Sequence, residues 1–184
     1  MARTIKFSKE DILKKSVEFI KEKGYSNLTV RELSKYIGCS TQPIFKNYEN
    51  FEMYKEDLKF YLRKDYSSFI RKYIDIKDYL YTISYAYALY AKKEPNVFFS
   101  LFMTDFAGSR TVEEVLNTDR NIETINAMVK QYNISLEEAK RVYREVRFYT
   151  HGIATQLCVN SIKLTNKEIK DLIRNNIEIN LRGN

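Results

Sequence analysis

Apolar positions recur along this chain three and four residues apart, and no alternating run is flanked by a hairpin turn, so helices are the only element the pattern supports. Only two prolines and five glycines interrupt 184 residues, which agrees. A first helix starts at Ser8, carries Asp11 in its first turn, turns Ile12, Leu13, Ser16, Val17 and Ile20 inward, and stops at Gly24. Asn50 reads as the cap of a long fourth helix to about residue 73, with no flexible linker between Tyr48 and that helix. A fifth helix is expected over 78–93, and a shorter sixth over 96–106, opened by Pro95. Ala107, Gly108 and Ser109 form the clearest loop, and helical stretches come next at 111–116 and 119–132. Ser135 with Glu138 makes a capping box for a long helix to about residue 162, and Thr165 with Glu168 starts the last. The fold class is all-α.

The segment 28–48, LTVRELSKYIGCSTQPIFKNY, holds two short helix patterns around a glycine. Thr29 and Glu32 form a capping box, and Val30, Leu33 and Ile37 supply one apolar face. Gly38 can take the left-handed conformation that ends a helix. Ser40 is a natural cap for the next helix, whose first turn is Thr41, Gln42 and Pro43; proline costs little there, because the first amides of a helix lack internal partners. This second helix is expected to bury Ile44 and Phe45 and to point Thr41, Gln42 and Lys46 outward. Two helices about a short glycine turn make a helix-turn-helix, a geometry that reads DNA.

Charge sharpens the picture. The net charge is +7 and uneven: residues 1–48 hold ten Lys and Arg against five Asp and Glu, and the remaining 136 hold twenty-one against nineteen. That concentration suits phosphate attraction and counterion release, whereas a merely lysine-rich surface accounts for the total but not the asymmetry. The hydrophobic fraction, 44%, is ordinary for a folded protein. Cys39 and Cys158 make neither a disulfide framework nor a metal spacing. The first residues lack the apolar core of a signal peptide, and the longest stretch free of Asp, Glu, Lys and Arg, 148–162, is shorter than the ~20 residues of a membrane span, so a cytoplasmic protein without membrane association is expected. No glycine-rich phosphate loop, His/Cys cluster or nucleophile elbow occurs in the sequence. Paired carboxylates such as Glu113 with Glu114 face different ways on a helix. No catalytic residue, metal or cofactor is expected.

From Ser8 to Tyr54 the chain resembles the N-terminal domain of TetR-family transcriptional regulators. The matching features are Ile12, Phe19 with Ile20, Gly24 with Tyr25, Leu28-Thr29-Val30, Leu33, Ile37-Gly38-Cys39-Ser40, Ile44 with Phe45, and Tyr48. Three positions depart: Phe45 stands where the family usually has a phosphate-contacting tyrosine, Asn47 replaces a common histidine, and Phe51 a phosphate-binding lysine. The resemblance implies a helix-turn-helix DNA-binding domain over 1–48 and a helical effector-binding and dimerisation domain over 49–184. It implies a homodimeric repressor, released from double-stranded operator DNA by a small-molecule effector. Thr41, Gln42 and Lys46, with Ser40, then meet the major groove, as Arg31 does in some relatives. Thr29, Asn47, Tyr48 and Lys55 fall to phosphates, and Arg3 and Lys6 to a basic arm. Tyr48 has a second reading, as a core aromatic closing the domain.

The two C-terminal helices suggest dimerisation. In the long one, Val142, Val146, Tyr149, Ile153 and Leu157 form one apolar stripe, and Phe148, Gly152, Thr155, Val159 and Ile162 another. The last helix presents Ile169, Leu172, Ile173, Ile177 and Leu181. Two apolar faces need two packing partners, and the second is either another subunit or more of the same core. A subunit interface would use Phe148, Gly152, Thr155, Val159, Ile169, Leu172, Ile173 and Ile177. Fifteen Tyr and eleven Phe are unusual. Most are ordinary core, yet tyrosine hydroxyls among apolar walls also suit a ligand pocket, with candidates Tyr79, Phe98, Phe99, Phe102, Met103, Phe106, Tyr149 and His151. His151, the single histidine, reads either as a satisfied core or interface residue or as a ligand contact. The alternative function is an all-helical small-molecule-binding protein or adaptor without DNA binding.

Overall fold

The computed structural model describes residues 7–182. Among them are ten α-helices and three short 3-10 turns, with no strand. The helices are α1 (Lys9–Lys23), α2 (Val30–Ile37), α3 (Gln42–Asn47), α4 (Phe51–Arg71), α5 (Tyr79–Lys93), α6 (Pro95–Phe102), α7 (Val112–Leu116), α8 (Asp119–Tyr132), α9 (Leu136–Cys158) and α10 (Asn166–Arg182). The protein is all-α, as its periodicity predicts.

The chain divides into two compact units. The first runs to Tyr66 and includes Asn96–Ala107; the second comprises Ser67–Pro95 and the chain from Gly108 onward. The division therefore falls within α4 and not at residue 48. The motif ends at Tyr48, but packing does not: Tyr54 donates a 2.7 Å hydrogen bond to Ser16 Oγ, and Lys9 Nζ lies 3.5 Å from Asp57. The segment 96–107 joins the same unit because Asn96 Nδ2 donates to the Lys21 carbonyl at 2.9 Å and the Phe106 ring sits 4.6 Å from that of Tyr25.

In the first unit Ser8 caps α1 in a complete box with Asp11, and Ile12, Leu13, Ser16, Val17, Phe19 and Ile20 are buried. Asn50 Oδ1 accepts from Met53 N at 2.9 Å and caps α4. The helix α6 stops at Phe102, short of 106, because Thr104 Oγ1 bonds back to the Ser100 carbonyl and a 3-10 turn over Asp105–Ala107 comes next.

In the second unit α5, α8, α9 and α10 pack around one core. Its buried members include Leu80, Met128, Val142, Val146, Ile153, Leu157, Ile169, Ile173 and Ile177. Thr165 and Glu168 form a full capping box before α10, with Glu168 N to Thr165 Oγ1 at 3.2 Å and Thr165 N to the Glu168 carboxylate at 2.7 Å. At α9 only half the expected box forms. Ser135 Oγ accepts from Glu138 N, while the Glu138 carboxylate turns to Arg141 at 2.6 Å. That helix ends at Cys158 and not near 162, since Asn160 adopts a left-handed φ of 54°.

Candidate nucleic-acid interface

Thr29 is extended and its Oγ1 accepts from Glu32 N at 3.1 Å, opening α2. The helix buries Leu33 and closes on Gly38, at φ 79° and ψ 34°. There Gly38 N donates to the Lys35 and Ser34 carbonyls, and Cys39 N reaches Ser34 O at 3.0 Å. Space around Gly38 is open, so the demand for glycine is one of backbone conformation alone. The expected cap Ser40 does not serve: α3 begins at Gln42 after Thr41, which is itself right-handed helical and makes no side-chain capping bond.

The helix α3 buries Ile44, but Phe45 is 54% exposed, against the expectation that both turn inward. A helix of six residues reaches the core along one line. Tyr48, four positions after Ile44 and 3% exposed, takes the second place on that line, and the 100° step carries Phe45 away from it. The i, i+4 pair of Ile44 and Tyr48 was the available signal. Thr41, Gln42, Phe45 and Lys46 thus form one solvent-facing surface, with Ser40 and Arg31 also exposed.

Four residues assigned to phosphates have other engagements. Tyr48 is core, its hydroxyl oxygen enclosed and its ring 5.4 Å from that of Tyr54. Burial, then the Asp57 carboxylate, push its pKa up to about 12. Lys9 Nζ lies 4.6 Å from the centre of its ring. The Asn47 amide is spent on the Pro43 carbonyl at 2.8 Å and the Phe7 carbonyl at 3.1 Å. Lys55 pairs with Glu52 at 3.0 Å and lies against the Phe51 ring. Thr29 is exposed; its Oγ1 accepts the capping bond from Glu32 N and keeps its own O–H to donate. Arg3 and Lys6 lie outside the described residues.

The eight pocket candidates are divided between the units. Phe98 and Phe106 are buried in the first, where the Phe102 ring sits 4.8 Å from Phe98 and 5.2 Å from Tyr66; Phe99 is 37% exposed and Met103 half-buried. Tyr79, Tyr149 and His151 belong to the second, and Tyr149 is 38% exposed. His151 Nδ1 shares a 2.8 Å hydrogen bond with the Tyr87 hydroxyl. Burial, and then Arg147, hold its pKa below the ordinary imidazole value. A groove of about 440 Å³ in the first unit is lined by Phe19, Lys23, Asn27, Glu32, Lys35 and Tyr36. One of about 500 Å³ in the second involves Lys92, Leu157, Asn160 and Thr165. Neither includes any of the eight.

The interface candidates separate cleanly by exposure. Phe148 is 56% exposed and Val159 53%, with Gly152 exposed beside them and Thr155 half-buried. By contrast, Ile169, Ile173 and Ile177 are enclosed in the unit's own core and offer nothing to a second subunit. Sequence periodicity marks an apolar face without saying which neighbour covers it. On α10 the outward apolar residue is Ile179, 69% exposed, whereas half-buried Leu172 packs against the unit's own core.

Among the described residues no group of three His, Cys, Asp or Glu could hold a metal ion, and no helix is long and apolar enough to cross a membrane.

No family model matches the chain, and no curated protein matches it in sequence. Solved structures match in shape. A TetR-like transcriptional regulator from Rhodococcus sp. RHA1 superposes with a TM-score of 0.67 over 100% of both chains at 10% identity. A TetR variant from Acinetobacter baumannii AYE, in complex with minocycline, gives a TM-score of 0.53 over 92% of this chain and 96% of that one at 15% identity. Identities this low speak to architecture alone. The chain has the fold of TetR-like transcriptional regulators.

Proposed function

We propose that this protein is a sequence-specific DNA-binding transcriptional regulator, a cytoplasmic homodimeric repressor released from its operator by a small molecule. The observation that carries the reading is the outer face of α3: Thr41, Gln42, Phe45 and Lys46, all exposed, come after a left-handed glycine turn in the part of the chain richest in positive charge. Gln42 can bond a base edge bidentately, and Lys46 can meet a base or a phosphate. Support for the dimer comes from the exposed stripe of Phe148, Gly152 and Val159 on α9, together with Ile179 of α10. The effector is inferred from the fold's aromatic content and from the structural neighbour that binds minocycline.

Selection of binding sites from a random duplex library by the full-length protein tests this. The expected result is a two-fold symmetric sequence whose half-sites lie one DNA turn or slightly more apart, roughly 34–36 Å. Failure to enrich any sequence over the starting library overturns the reading.

A further inference from the structure

The exposed ring of Phe45 has no place in a surface built only to attract phosphates. It has no hydroxyl, so it can neither accept nor donate a hydrogen bond to a backbone oxygen or a base edge. Yet it is 54% exposed on the same face as Gln42 and Lys46, three residues after the first and one before the second. Isolated surface phenylalanines are common and need no explanation. This one differs by its place: in a helix of only six residues it supplies the sole large apolar group on the outer face, whose other members are polar or charged.

In the major groove the apolar feature of the base edges is the 5-methyl group of thymine. We infer that Phe45 reads a thymine methyl, an inference that rests on the DNA-binding function proposed above. Gln42 and Phe45 are separated by three residues, a rise of about 4.5 Å along the helix. Successive bases on one strand are about 3.4 Å apart. The two side chains therefore address base pairs one or two steps from each other. Gln42 pairs best with adenine through its N6 and N7, so each half-site holds an adenine contact and, beside it or one step on, a thymine seated against Phe45.

The test replaces each thymine of the selected duplex in turn with deoxyuridine, which removes the methyl and leaves every hydrogen-bonding group. Wild-type protein should lose about 4-fold in affinity at one thymine per half-site, the value of one buried methyl group. Phe45→Ala should bind the thymine and deoxyuridine duplexes equally at that position, and Phe45→Leu should keep part of the discrimination. Thermal melting of both variants checks that the fold survives, and the wild-type scan stands without either of them. No sensitive thymine in the wild-type scan overturns the inference, as does a Phe45→Ala variant that retains the full loss. Both results leave DNA binding itself intact. If selection enriches no duplex, the proposed function fails, and the assignment of Phe45 fails with it.

Discussion

Ser16 and Tyr54 show how much one buried hydroxyl pair contributes to the first unit. The tyrosine donates to Ser16 Oγ at 2.7 Å, and Ser16 in turn donates to the Ile12 carbonyl at 2.6 Å. Tyr54→Phe leaves the serine its own acceptor and should cost about 1 kcal/mol; Ser16→Ala strands a buried phenol and should cost more, about 1–3 kcal/mol. Urea denaturation of the two variants checks the order. His151 carries a pH dependence. Its folded-state pKa lies below the ordinary 6.5 because burial, and then Arg147, disfavour the cation. The unfolded chain therefore binds the proton first: stability is full above about pH 6.5 and is lost as pH falls from there towards the folded-state value. Replacing His151 by Asn should flatten the decline in denaturation midpoint between about pH 7.5 and 5.5, whereas an unchanged slope would contradict the assignment. At the reading face, Gln42→Ala should cost about 1–3 kcal/mol and relax preference at one base pair per half-site, measured against single-base variants of the selected duplex. Ile12, Leu33 and Gly38 were legible in the sequence because spacing and backbone chemistry define them locally. Tyr48 was legible only in part: its spacing from Ile44 supports the core reading, but Tyr54 and Lys9, which engage it, come from elsewhere in the chain. Asn47 likewise meets a distant group, the Phe7 carbonyl, besides the nearby Pro43 carbonyl.

Among elements, α9 and α10 separate core from exposed apolar surface most sharply. Phe148→Glu places a charge on an exposed stripe and should give folded, fully helical monomers with weak DNA binding. Ile173→Asp buries an unpaired carboxylate in the core of the second unit and should instead unfold that unit, a loss of several kcal/mol. Sedimentation together with circular dichroism distinguishes the two outcomes; wild-type protein that sediments as a monomer at micromolar concentration would remove the dimer from the account. The same two helices mark where sequence reading stops. Their caps at Ser135 and Thr165 were visible from side-chain chemistry at fixed offsets. That Ile169, Ile173 and Ile177 turn to α5 and α9 was not, since a stripe at 3–4 spacing looks the same whichever neighbour covers it. The boundary within α4 was hidden for a related reason: a continuous helix carries no break in composition where its packing partners change.

For the whole molecule, regulation requires that an effector bind the DNA-incompetent arrangement more tightly than the competent one. The chain passes between the two units three times, within α4, after Pro95 and after Ala107. A thermal-shift screen followed by operator titration identifies such a ligand: a true effector raises the melting temperature and weakens operator binding, and a compound that only stabilises the protein is not one. All of this depends on α3 reading DNA in a sequence-dependent way. The most direct measurement is a titration of full-length protein against the selected duplex and against a scrambled duplex of the same composition, at about 150 mM salt. The account predicts an affinity at least about 10³-fold higher for the selected duplex. Equal affinity for the two would contradict it.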